Sequence, residues 1–60
     1  MTPEVRAIVK AVYQDLRGTY QSLTLEWLEE EAEKQLAGGS PTGGPGMFLN
    51  DPLRKAGFIS

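Results

Sequence analysis

Residues 38–46 read GGSPTGGPG, five glycines and two prolines in nine positions. A helix or packed strand does not run through such a stretch. Glycine carries too much backbone freedom, and proline lacks the N–H that either ladder needs. The stretch reads as a flexible loop or linker. All regular structure must therefore form before it, in residues 1–37, or after it, in residues 47–60.

The first part carries two helix patterns. Thr2 is a good N-cap, Pro3 suits the first helical position, and Glu4 sits where the helix dipole favours an anion. Val5, Ile8, Val9, Val12 and Leu16 then repeat at amphipathic helical spacing. Gly18 reads as a left-handed stop, so the first helix is expected over 3–17. The second is expected over 24–37, with Thr24 as N-cap and Gly38 as stop. Leu23 and Leu28 form a hydrophobic staple across its start. Leu25, Leu28, Ala32 and Leu36 share one face. Glu30 and Lys34 form the expected i,i+4 pair. In the tail, Asp51 as N-cap and Pro52 at the first position predict a short third helix over 52–56, stopped by Gly57. Phe58 and Ile59 follow it, placed for contact back onto that turn.

A chain of 60 residues buries only about 60% of the surface its unfolded form exposes. Small domains commonly need a disulfide, a metal or a partner to compensate. Cysteine and histidine are both absent, which removes disulfides and the usual zinc or copper ligands. The remaining support is another chain, so a homodimer or a protein partner is expected. The N-terminal residues do not read as a secretory signal, and no apolar run reaches the ~20 residues of a membrane span. A cytoplasmic protein without membrane contact is the expectation.

Enzyme chemistry is poorly supplied. Without histidine, cysteine or a serine in a nucleophile motif, only carboxylates, lysines and tyrosines remain. The glycine-rich run does not match the phosphate-cradling patterns. The acidic run EWLEEEAE offers carboxylates on one side of one helix, and the favoured reading is a solvated face. Arg6, Lys10 and Arg17 lie on one flank of the first helix beside Tyr13. They could meet phosphates or an acidic partner, but ion pairs at a helical rim, with Glu29 and Glu33, are preferred. The net charge of −2 also argues against broad phosphate binding.

Trp27 falls opposite the leucine face of the second helix, among glutamates. Two covers are open to it. One is the chain's own tail, through Phe48, Leu53 or Phe58. The other is a partner protein, since tryptophan is enriched at binding hot spots.

The sequence therefore predicts an all-α fold in one small domain: a helical hairpin over 3–17 and 24–37, plus a helix over 52–56 behind the 38–46 loop. It closes either as a three-helix mini-domain or as a dimeric four-helix bundle. The expected core is Val5, Ile8, Val9, Val12, Leu16, Leu23, Leu25, Leu28, Ala32 and Leu36. The expected function is a non-catalytic protein-interaction module: an adaptor, regulator or accessory subunit. Its partner-binding candidates are Trp27, Glu31, Lys34, Phe48, Leu53 and Phe58. A helix-turn-helix-like nucleic-acid regulator is the alternative. No catalytic residue, metal, cofactor or small-molecule substrate is implied.

Overall fold

The computed structural model describes residues 1–59. Three α-helices and one 3₁₀ helix follow in order: α1 (Pro3–Leu16), α2 (Leu25–Leu36), the 3₁₀ segment Gly44–Leu49 and α3 (Asn50–Lys55). Among the described residues there is no strand. Nor is any helix among those residues long and apolar enough to cross a membrane.

Both long helices begin on the expected caps. The Thr2 hydroxyl accepts from the Val5 N–H at 3.2 Å, and the Thr24 hydroxyl from the Trp27 N–H at 3.1 Å. Each satisfies one of the donors a helix start leaves open. The ends differ from each other. Gly38 takes φ +94°. The Gly38 N–H donates to the Gln35 carbonyl at 3.1 Å, and the Gly39 N–H to the Lys34 carbonyl at 2.9 Å. That is the paired closure of a Schellman turn. Gly57 (φ +87°) ends α3 in the same way, with the Phe58 N–H on the Leu53 carbonyl at 2.9 Å.

Gly18 departs from its expected role: it is not left-handed. The Leu16 carbonyl instead accepts from both the Thr19 N–H (3.0 Å) and the Tyr20 N–H (2.8 Å). Such a turn keeps right-handed backbone and needs no glycine.

The tail also differs from expectation. The 38–46 loop is shorter than its composition suggests, because Gly44, Pro45 and Gly46 already belong to the 3₁₀ segment. That segment runs directly into α3, with the Asn50 N–H donating to the Met47 carbonyl. Hence α3 starts at Asn50 without a side-chain cap. Asp51 is not an N-cap. Its carboxylate pairs with Arg54 at 3.5 Å.

The core has three sources. Val5 and Val9 come from α1, Leu28 and Ala32 from α2, and Leu49 and Leu53 from the tail; all six are at most 1% exposed. Ile8, Val12, Leu23, Leu25 and Leu36 pack half-buried around them. Leu16 is half-buried as well. The 3₁₀ segment touches both α1 and α2, and α3 rests on α1. The tail thus closes the hairpin into a three-helix mini-domain.

Candidate interaction site

α2 has two working faces. One is the leucine face in the core. The other carries Trp27, Glu31, Lys34 and Gln35, which recur at three- and four-residue spacing and so stack on one side of the helix. The loop and the 3₁₀ segment lie across this second face.

The Gln35 side-chain amide donates to the Gly46 carbonyl at 2.8 Å in a buried bond. The Glu31 carboxylate accepts from the Thr42 N–H at 3.3 Å. Lys34 closes the set: its ammonium donates to the Thr42 hydroxyl at 2.6 Å and lies 3.4 Å from the Glu31 carboxylate. The expected Glu30–Lys34 pair is therefore replaced by Glu31–Lys34. Glu31 is turned inward, only 6% exposed, where a neighbouring cation and a backbone donor offset its loss of water. It is not part of a solvated face.

Trp27 is half-buried, and the backbone at Gly46 approaches its indole. Pro45 forms a groove wall beside it. The turn Pro45–Gly46 is thus part of the cover, and Trp27 also packs against the core cluster that holds Leu49 and Leu53. Glycine suits this position because a β-carbon at Gly46 would collide with the Glu31 carboxylate and displace it.

With the tail so placed, the candidates separate. Leu53 lies in the core and Phe58 packs half-buried against it. Glu31 and Lys34 hold the loop. Met47 and Phe48 face outward, 59% and 52% exposed. The Phe48 ring lies 6.5 Å from that of Tyr20, tilted by 59°. This aromatic pair stands between two grooves. One, of about 240 Å³, runs from Tyr20 along Leu23 and Trp27 to Pro45. The other, of about 370 Å³, runs from Phe48 between Ile8, Ala11, Val12 and Pro52, with Asp15 at its side. Met47 and Phe48 are the sequence's clearest unspent apolar residues once Leu49 and Leu53 have gone inside.

Arg6, Lys10 and Arg17 are all exposed. Among the described residues they form no ion pair with Glu29 or Glu33, and the two pairs seen are Lys34–Glu31 and Arg54–Asp51. No group of three or more carboxylates in the described residues is gathered to hold a metal ion. Compared with protein-family models, curated proteins and solved structures, the chain has no match.

Proposed function

We propose that this chain is a non-catalytic protein-interaction module that docks through the surface centred on Phe48. The observation that carries the reading is the exposure of Met47 and Phe48, adjacent large apolar residues, between two grooves with apolar walls. A small domain short of buried apolar surface gains by covering such residues, and aromatic side chains beside a groove are the usual anchors of protein contacts. The occupant is another protein or a second copy of this chain.

The test compares the native chain with Met47→Ser/Phe48→Ser and with Arg6→Ala/Lys10→Ala/Arg17→Ala. Cross-linking at native concentration and sedimentation give the readout. Loss of association in the first variant and its retention in the second support the reading. Loss only in the second, together with salt-sensitive retention on duplex DNA, moves the function to nucleic-acid binding.

A further inference from the structure

Glu4, Ile8, Ala11 and Asp15 stand in one row along α1, at spacings of four, three and four residues that stack on the same side of a helix. Ile8, Ala11 and Asp15 line the groove beside Phe48, together with Val12 and Pro52. Glu4 continues the row one turn beyond Ile8. The row is therefore apolar in its middle and carries a carboxylate at each end, roughly 16 Å apart along the axis. Both carboxylates are exposed, and among the described residues neither forms an ion pair.

No lysine or arginine lines this groove. Arg6, Lys10 and Arg17 fall on the far flank of α1, and on α3 Arg54 pairs with Asp51. The groove thus joins an apolar floor to negative ends. The positive end of α1 offsets part of the Glu4 charge, so the Asp15 end is the more negative. The occupant's backbone is restricted as well. Among the described residues there is no strand, so no open sheet edge is present to pair with an extended segment. Such a segment would lay its N–H and C=O groups over apolar walls without partners. A helix bonds its own backbone and brings only side chains to the groove. The small side chain of Ala11 leaves room for its axis to come close.

We infer that this groove takes an amphipathic helix of a partner protein, with a lysine or arginine at each end of its apolar face. The apolar face lies against Phe48, Ile8 and Ala11, and the cations meet Glu4 and Asp15. The inference rests on the reading of the Phe48 surface as a docking site and adds to it the conformation and charge of the occupant. The apolar contact supplies the affinity, and the two carboxylates select among helices and fix their position along the groove.

The experiment is a ¹H–¹⁵N titration of the full chain with capped synthetic helices of roughly four turns, leucines along one face. One peptide carries lysine at each end of that face, a second carries glutamate there, and a third is the lysine peptide with a central proline that breaks the helix. Saturable shifts at Ile8, Ala11, Asp15 and Phe48 are expected with the lysine peptide. It should bind at least about tenfold tighter than the glutamate peptide at low salt, and the ratio should shrink as salt is added. In Glu4→Gln/Asp15→Asn, both positions being exposed, the preference should vanish while the shifts at Phe48 persist. Equal binding of the first two peptides, or a preference that survives this double variant, overturns the inference. So does equal or tighter binding of the proline peptide, which assigns the groove to an extended segment. Shifts at the same residues on concentrating the chain alone overturn it too, in favour of a second copy. If no peptide binds, yet Met47→Ser/Phe48→Ser abolishes association, the inference fails and the docking surface stands. If that variant associates normally, the docking surface itself falls.

Discussion

Gly46 lies against the Glu31 carboxylate so closely that no other residue type fits without movement. A β-carbon there would have to displace the end of the Glu31 side chain from its partners. Glu31 is held by the Thr42 N–H and by Lys34, and Gly46 is held through its carbonyl by Gln35. Gly46→Ala should therefore cost about 1–3 kcal/mol, the range for overpacking a filled site. Urea melts of Gly46→Ala, Glu31→Ala and the double variant check it. If the collision is the cause, the double variant is more stable than the sum of the single effects predicts.

Gly18 and Gly38 should respond in opposite directions to alanine. Gly18 has open space around its β-position and no positive φ, so Gly18→Ala removes freedom from the unfolded chain and gains about 0.4–1 kcal/mol. Gly38 stands at φ +94°, where an L side chain is strained by roughly 1–2 kcal/mol. Thermal melts of the two variants should bracket the native chain, Gly18→Ala above and Gly38→Ala below.

Leu53→Ala should be as damaging as Leu28→Ala. Both side chains are fully buried, and each truncation costs about 2–5 kcal/mol. That is enough to unfold a domain of marginal stability. Glu30→Ala should be nearly silent, because Glu30 is exposed and Lys34 pairs with Glu31 instead. Circular dichroism melts of the three variants decide, and a mild Leu53→Ala would mean that the tail does not belong to the core.

Deleting residues 44–60 should expose Trp27. The turn Pro45–Gly46 is what approaches the indole, and Leu49 and Leu53 leave with it. The expected result is red-shifted tryptophan emission together with loss of the cooperative melt.

The two long helices were legible because each is marked by local chemistry: a threonine cap, an apolar stripe and, for α2, a glycine stop. The stripe also named Val5, Val9, Leu28 and Ala32 correctly as core. The rest depended on residues far apart in sequence. Gly44, Pro45 and Gly46 look like linker because composition alone describes a flexible segment, yet Gln35 and Trp27 give that turn a place to sit. Glu31 read as part of a solvated acidic face because polar residues usually are, and Gln35 drew no reading at all. A signal did exist: they follow Trp27 at i+4 and i+8, so whatever covers the tryptophan covers them. Gly18 misled because a glycine after a helix usually marks a left-handed stop, and a right-handed turn on the Leu16 carbonyl leaves no trace in the sequence. Met47 and Phe48 could be told from Leu49 and Leu53 only after the 3₁₀ turn had fixed which side of the tail faces inward.

A core assembled from residues 5, 9, 28, 32, 49 and 53 has a consequence for the order of events when the chain is made. Residues 1–37 contain both long helices but not the side chains that seal them. Isolated helices of this length are marginal in water. The closing contacts also span most of the sequence, so their formation requires a large loop to be shut first. During synthesis the hairpin therefore lacks its closing side chains until Leu49 and Leu53 have been added. Full closure of the domain waits on these last residues, which also cover the apolar stripes of α1 and α2.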